Sequence, residues 1–129
     1  MVSIPESHRD ILDSKSFAHV ATVDADGMPQ VTPVWVEFDG EHILINSVLG
    51  RKKDRNIAAR PQVAVSIQDP ADPYRYLGVQ GRVVEITTEG AEEQIHRLSR
   101  KYMDRDYPWL GNDVRVSYKI EPEKVWVMG

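Results

Sequence analysis

Most of this chain alternates apolar and polar residues with a period of two, the pattern of β-strands that bury one face. Three such segments follow one another at residues 17–23, 30–38 and 43–48. Asp26-Gly27 and Asp39-Gly40 separate them, and Asp-Gly pairs favour tight hairpin turns because both residues tolerate positive φ. The pattern therefore predicts three consecutive antiparallel strands joined as a meander.

The rest of the chain continues this pattern with a few helical segments between strands. We predict strands at 63–67, 76–86 and 114–120, a further apolar pair around Trp126, and a loop at 68–73. Helices are predicted at 6–14, at 51–60 before Pro61, and after Thr88, which is a candidate cap. Six or seven strands with three short helices predict a mainly β fold. We expect one domain over residues 1–129, a small β-barrel with its helices on the outside.

Composition narrows the class of protein. The 129 residues carry a formal net charge of −4 and no cysteine. A general nucleic-acid binder would carry a basic surface over a basic total, so this function is not expected. Disulfides, thiolate zinc sites and cysteine nucleophiles are excluded. We find neither an apolar run long enough for a membrane span nor a signal-peptide core, so a soluble cytoplasmic protein with no membrane partner is expected.

A basic cluster stands out in this acidic chain. The apolar run 42–45 ends at Asn46 and Ser47, and Gly50 is followed by four cations within five residues, 51–55. This order predicts a strand, a turn and the first turn of a helix, where backbone N–H groups and the helix dipole favour an anion. The alternative is a solvated helix face. A phosphate-bearing planar cofactor fits the cluster better, because the helix has only Ile57 as a large apolar residue.

No catalytic side-chain constellation is visible. The chain lacks the glycine-rich nucleotide motifs and the nucleophile elbow, and its four histidines have no metal-like spacing. Pro33 lies inside the second predicted strand and cannot donate a ladder hydrogen bond, so it predicts a sheet edge, a bulge or backbone that faces a ligand. If the protein is an enzyme, we expect a bound cofactor to carry the reaction.

Five motifs in order carry a family resemblance. They are DGMPQVTPVW (26–35), GRKKDRN (50–56), PYRYLGVQGRV (73–83), KY (101–102) and RVSYKIEPEKVW (115–126). The chain resembles the split-barrel flavin- and deazaflavin-dependent oxidoreductases related to pyridoxamine 5′-phosphate oxidase, above all the branch that uses coenzyme F420. The resemblance covers nearly the whole chain and implies the FMN-binding split-barrel fold.

The resemblance also implies a homodimer with cofactor sites at the subunit interface. The implied cofactor-binding residues are Gln30, Pro33, Val34 and Trp35 along the ring system, Asn46, Ser47 and Val48 under the ring and its chain, Arg51, Lys53 and Asn56 at the phosphate or anionic tail, and Tyr74, Tyr76 and Gln80 from the partner subunit. Ordinary barrel or interface packing is the alternative role for Trp35 and the two tyrosines. No catalytic residue is implied.

Three functions follow from the resemblance. The leading one is an F420-dependent reductase that transfers a hydride from reduced deazaflavin to a small conjugated organic substrate. The second keeps the fold and uses FMN, as in the pyridoxamine 5′-phosphate oxidase type. The third is a protein that binds flavin or F420 without turnover. Oxidation of pyridoxamine phosphate itself is less expected, because the chain lacks a second basic set for a phosphorylated substrate.

Overall fold

The alternating segments form seven β-strands in a computed structural model that describes residues 2–129. The strands are β1 (Ala18–Val23), β2 (Pro29–Val34), β3 (Glu37–Phe38), β4 (Ile43–Val48), β5 (Gln62–Asp69), β6 (Asp72–Thr87) and β7 (Arg115–Met128). The helices are α1 (Arg9–Asp13), α2 (Lys52–Ala59) and α3 (Ala91–Met103), and a 3-10 turn, Glu6–His8, precedes α1. The predicted mainly β fold with short helices is confirmed.

All seven strands belong to one antiparallel sheet in the order β2-β1-β5-β6-β7-β4-β3. The two edge strands, β2 and β3, are consecutive in the chain, and only Trp35 and Val36 lie between them. Two residues can join opposite edges of a sheet only if the sheet curls until its edges approach. The result is a barrel that is split between β2 and β3, as the resemblance implies.

The predicted meander is wrong, although its two hairpins are present. Both Asp-Gly turns form as expected, with Gly27 at φ 81° and Gly40 at φ 100°, and they join β1 to β2 and β3 to β4. The predicted strand 30–38, however, breaks at Trp35 and Val36, so the two hairpins lie at opposite ends of the sheet. Turn residues encode only which neighbouring strands pair. They do not encode which hairpins adjoin in the sheet.

The long strands β6 and β7 connect these ends. The predicted strand 114–120 and the apolar pair around Trp126 form the single strand β7, which pairs with β4 along its first half and with β6 from Ser117 to Met128. Pro122 lies inside β7 at a shift in register beside Gly81. The loop predicted at 68–73 is reduced to a tight turn between β5 and β6.

The core fills the inner face of the curled sheet. Ile43 and Ile45 of β4 lie opposite Ile120 and Tyr118 of β7, and all four side chains are almost fully buried. Burying a large aliphatic side chain contributes roughly 1.5–3 kcal/mol. The period-two alternation of the sequence therefore translates directly into an inner apolar face and an outer, more polar one.

Two of the helices follow the sequence closely. Helix α2 lies within one residue of its predicted bounds, and α3 follows Thr88 as predicted and buries Ala91, Ile95 and Leu98 on one face. The predicted cap at Thr88 is wrong, because Gly90 is the N-cap of α3 with φ 76° and no side-chain hydrogen bond. Backbone tolerance of positive φ determines this helix start. Within residues 2–129, no helix is long and apolar enough to cross a membrane.

Candidate functional site

Several hydrogen bonds hold the basic turn, residues 50–56, between β4 and α2. Gly50 has φ 86°, and the N–H of Arg51 donates to the carbonyl of Val48 at 3.2 Å. The buried carboxylate of Asp54 accepts from the Gly50 N–H at 2.9 Å and from the Tyr118 hydroxyl at 2.7 Å. Since Asp54 lies in the first turn of α2, this pair of bonds ties the glycine turn to both the helix and the barrel core.

Most cations of the basic turn already have partners. Lys52 forms an ion pair with Asp24 at 3.5 Å, and Arg51 forms one with Asp113 at 3.5 Å. Arg55 donates from Nη1 to the carbonyl of Gly50 at 2.9 Å. These contacts are exposed and contribute little to stability, but they show where each positive charge points. Three of the four cations therefore make contacts within the chain.

Lys53 is different. Within the described residues, its ammonium group has neither an ion pair nor a hydrogen bond, although the side chain is partly buried. Burial and then the positive charges of Arg51 and Arg115 lower the pKa of Lys53 to about 8. Unpaired buried charge is costly, and like charges add to the cost. Three cations lie near one another and Lys53 has no counter-charge, so this turn is a candidate anion site.

Arg115 connects this anion site to an adjoining cleft, which we call the aromatic cleft. The cleft has a volume of about 250 Å³. Asn46 and Arg115 are the polar members of its wall. Most of the wall consists of aromatic and apolar side chains, which include Phe17, Pro33, Val34, Trp35, Tyr107 and Trp109. A largely apolar cleft with a few placed polar groups suits a flat organic ring.

The polar members of the cleft are oriented by hydrogen bonds. Asn46 Nδ2 donates to Ala91 O and to Gln94 Oε1, each at 2.9 Å, while its Oδ1 accepts from Arg115 Nε at 2.8 Å. The Arg115 guanidinium lies over the Tyr107 ring at 5.2 Å from the ring centroid. Burial lowers the pKa of Arg115, and Arg51 lowers it further. Asn46 therefore acts in this chain mainly as the group that holds Arg115.

The second strand presents its predicted residues to two sides. Pro33 lies on the edge strand, one of the three positions predicted for it, and lines the aromatic cleft together with Val34 and Trp35. Gln30 lies opposite Thr22, and Thr22 Oγ1 accepts from Asn56 Nδ2 at 3.0 Å. The register thus brings Gln30 and Asn56 to a shared neighbour on the inner side of the sheet.

Two polar atoms near this point lack partners. Gln30 Oε1 and Thr32 Oγ1 are buried, and within residues 2–129 neither makes a hydrogen bond. Buried polar atoms are usually paired, so orphaned atoms on one strand indicate a place where another group binds. On β4, Ser47 and Val48 pair in register with Val116 and Arg115, which places Val48 beside the cation that lines the cleft.

The three residues predicted to reach a partner subunit do not join the cleft of their own chain. Tyr74 is 82% exposed on β6, and Tyr76 lies further along the same strand. Gln80 lines a separate shallow groove of about 410 Å³ together with Pro29 and Gly81. A single chain therefore assembles ten of the thirteen predicted residues around the basic turn, β2 and β4, and leaves these three on an outer surface.

Sequence reasoning missed several side chains that the fold brings to the site. Arg115, Tyr107 and Trp109 follow α3, and Phe17 precedes β1. Two sequence signals include Arg115, the polar alternation of its strand and the motif 115–126, but neither indicates that Arg115 adjoins a cleft. The orphaned hydroxyl of Thr32 had no signal beyond its place between predicted residues.

The sequence and the fold both identify a family. The family described as Pyridoxamine 5′-phosphate oxidase matches residues 4–129. Since this match spans almost the whole chain, the protein belongs to the pyridoxamine 5′-phosphate oxidase family, whose fold is the split barrel described above. No curated protein sequence matches the chain.

Solved structures give the same fold. An F420 reductase is 35% identical, with a TM-score of 0.86 over 95% of this chain and 98% of its own. HupZ of Group A Streptococcus is 24% identical, with a TM-score of 0.71 over 96% of this chain and 93% of its own. A conserved hypothetical protein of Mycobacterium tuberculosis is 20% identical, with a TM-score of 0.75 over 98% of this chain and 86% of its own. The last two support the fold alone.

Proposed function

We propose that the protein is an F420-dependent oxidoreductase that reduces a small conjugated organic substrate. The observation that carries the proposal is Lys53, a partly buried cation without a counter-charge, beside Arg51 and Arg115 at the end of the aromatic cleft. The similarity to an F420 reductase at 35% identity supports the choice of cofactor. Family membership supports the broader assignment to flavin-type oxidoreductases.

The residues present fit such a cofactor. Arg51 and Lys53 would hold an anionic tail at the start of α2, where backbone N–H groups add to the attraction. The orphaned oxygens of Gln30 and Thr32 would accept hydrogen bonds from the ring system or its chain. Trp35 would lie against the flat ring in the aromatic cleft.

In this mechanism the chain binds, orients and excludes water. When bound, reduced F420 supplies the hydride. The aromatic wall formed by Trp35, Tyr107 and their neighbours would hold ring and substrate face to face and keep solvent out. The titratable side chains that line the cleft are Tyr107 and Arg115, so the Tyr107 hydroxyl or solvent would complete protonation of the product. Arg51 and Lys53 bind and take no part in the chemistry.

FMN is the second candidate cofactor. Membership in the pyridoxamine 5′-phosphate oxidase family favours it, and a single phosphate would also satisfy Lys53 and Arg51. A binding protein without turnover is the third candidate, since the aromatic cleft contains no carboxylate or histidine for acid–base chemistry. These alternatives share the same anchor and differ in the ring that occupies the cleft.

We also propose that the site is completed in a homodimer. Tyr74, Trp126 and Met128 are large apolar or aromatic residues exposed along β6 and β7, and Val31 is 62% exposed on the edge strand β2. A second protomer packed on this surface would cover them and could bring Tyr74, Tyr76 and Gln80 to the cleft. Light scattering should give about twice the 14.7 kDa chain mass. A monomer at micromolar concentration would count against this assembly. A cytoplasmic location also remains a prediction.

The decisive experiment offers FMN and F420 side by side to the purified protein and measures both affinities by fluorescence titration. We expect F420 to bind more tightly. Lys53→Ala should weaken binding by about 10- to 100-fold, the value of one charge-assisted hydrogen bond. Lys52→Ala is the matched control, because the neighbouring lysine pairs with Asp24 and points elsewhere.

Two outcomes would contradict parts of this proposal. Equal losses in both lysine variants would mean that only general positive charge matters, and the anchor at Lys53 would be wrong. Tight F420 binding with no reduction of quinones, nitroaromatics or enones would favour the binding protein over the reductase. Yellow protein with tightly held FMN would transfer the assignment to the second candidate.

A further inference from the structure

The dipeptide Lys101-Tyr102 near the end of α3 makes hydrogen bonds to backbone groups on both sides of the split in the barrel. Val36 is fully buried. Because it lies in the gap between β2 and β3, its backbone has no partner in the sheet. Its N–H donates to the Tyr102 hydroxyl at 3.1 Å, and its carbonyl accepts from Lys101 Nζ at 2.6 Å. Two side chains thus replace the sheet hydrogen bonds that the split in the barrel removes.

The same two side chains also hold the segment on the other side of the gap. Lys101 Nζ donates to the carbonyl of Leu12 at 2.7 Å, and the Tyr102 hydroxyl donates to the carbonyl of Ser16. The Leu12 side chain is fully buried in the core, and Ser16 is buried just before β1. One dipeptide therefore joins α3, the end of α1 and the crossing between the two sheet edges.

These bonds determine the position of a wall of the aromatic cleft. The Tyr102 ring stacks on Trp35, with ring centroids 5.3 Å apart and planes 11° from parallel. Phe17 packs against the same tyrosine at 5.8 Å, and Tyr107 meets Trp35 edge-on at 6.1 Å. Trp35, Phe17 and Tyr107 line the cleft, whereas Tyr102 lies behind them. Tyr102 can therefore act on a bound ring only through the residues that it packs against, Trp35 above all and Phe17.

Packing alone does not explain why a lysine lies at position 101. Burial lowers the pKa of Lys101, which shows that placing an ammonium group here has an electrostatic cost. An apolar side chain would fill the space without that cost but could not hold the Val36 carbonyl. Among the contacts of the described residues, Trp35 has no hydrogen bond of its own, so its orientation depends on its backbone neighbour Val36 and on the rings of Tyr102 and Tyr107.

We infer that Lys101 and Tyr102 are positioning residues that clamp the Val36 backbone and thereby orient the Trp35 indole as the wall of the aromatic cleft. The inference rests on the proposed function only in taking this cleft as the ring site. Lys101 provides the bonds to two carbonyls, and Tyr102 provides both a bond to Val36 and the stacking surface.

The test labels the three tryptophans with 5-fluorotryptophan and records ¹⁹F NMR spectra of the full chain. Trp35→Leu assigns the Trp35 resonance. We expect Tyr102→Phe and Lys101→Met each to shift or broaden that resonance while Trp126, on the far strand β7, stays unchanged. General loss of stability would move every resonance, so the selective change distinguishes positioning from folding. Arg100→Met is the matched control, because this neighbouring cation pairs with the exposed Asp106.

A second measurement connects the clamp to binding. Both variants should bind F420 or FMN about 3- to 10-fold more weakly, because a displaced aromatic wall loses stacking contact. If neither cofactor binds wild-type protein, the proposed function fails while the NMR result still decides the clamp. An unchanged Trp35 resonance in both variants would overturn the inference. If Lys101→Met does not fold, Tyr102→Phe decides the matter, since it removes a single oxygen.

Discussion

The proposed anion site at Lys53 predicts that the affinity for the cofactor depends on pH. In the free protein, burial and the charges of Arg51 and Arg115 hold the pKa of Lys53 at about 8. A bound phosphate or carboxylate would supply the missing counter-charge and raise this pKa toward its ordinary value of about 10.4. Binding must therefore be accompanied by proton uptake wherever Lys53 is neutral in the free protein.

The size of the effect follows from linkage. At pH 7 about nine-tenths of the free lysine is already charged, so binding takes up only about 0.1 proton; at pH 8 the value is about 0.5, and at pH 9 about 0.9. The affinity should be nearly constant below pH 7 and fall by almost tenfold per pH unit between about pH 8.5 and 10. Lys53→Arg should remove this slope, because arginine stays charged throughout the range.

Calorimetry in two buffers of different ionisation enthalpy measures the proton uptake directly. Lys53→Met provides the background, since it retains the cleft and any ionisation of the ligand itself but lacks the titrating amine. Lys52→Ala should behave as wild type. Equal proton uptake at pH 8 in wild type and in Lys53→Met would refute the reasoning, because it would show that Lys53 is not the group that responds to the ligand.

The same lowered pKa makes a prediction for stability without ligand. Because the folded-state pKa of Lys53 lies below its ordinary value of 10.5, the unfolded chain binds more protons between pH 8 and 10.5. Wild-type stability should therefore rise with pH through this window, and the cost of the buried charge is fully present below it. After allowance for solvent screening, Lys53→Met should gain about 1 kcal/mol at pH 7, or about 3–5 °C in Tm.

Further predictions concern the barrel and the turn. A Cβ at Gly78 would lie 2.2 Å from Trp126 Cε2, whereas one at Gly81 would lie 2.6 Å from the carbonyl oxygen of residue 121. The half-exposed indole can move and the backbone cannot, so thermal melts should show Gly81→Ala to be the more destabilising, by about 1–3 kcal/mol. Tyr118→Phe leaves the buried Asp54 with one partner fewer, which should cost about 1–3 kcal/mol in denaturant unfolding. It should also weaken F420 or FMN binding; unchanged affinity would show that this bond does not hold the turn.

The local elements of the fold were predictable because nearby residues encode them. Asp26-Gly27 and Asp39-Gly40 form the expected hairpins, and Pro61 follows the end of α2 as predicted. The start of α3 was predicted less well, since Thr88 was a good cap by residue type. Gly90, two residues later, is the N-cap instead. Its φ is positive, and residue-type preferences for caps do not predict this backbone conformation.

The candidate site shows the same division. The basic turn was recognisable from its glycine and its cations. Sequence alone, however, could not indicate whether Lys52 or Lys53 is the better candidate to bind an anion. The two lysines differ because of residues that are distant in the chain. Asp24 forms an ion pair with Lys52, whereas Arg115 adds a like charge near Lys53. Burial and pairing depend on which strands adjoin, and that information is not local.

By itself, the sequence determined the alternation that makes a one-faced sheet, the two hairpins, the short basic helix and the family to which the chain belongs. Only the tertiary structure decided that β2 and β3 form opposite edges of one curled sheet, with Trp35 and Val36 crossing the split. That split opens the cleft, and the approach of β7 brings Arg115 to it. The physical reason is that turn and strand preferences act between neighbours, whereas curling, burial and charge pairing depend on contacts between residues distant in the chain.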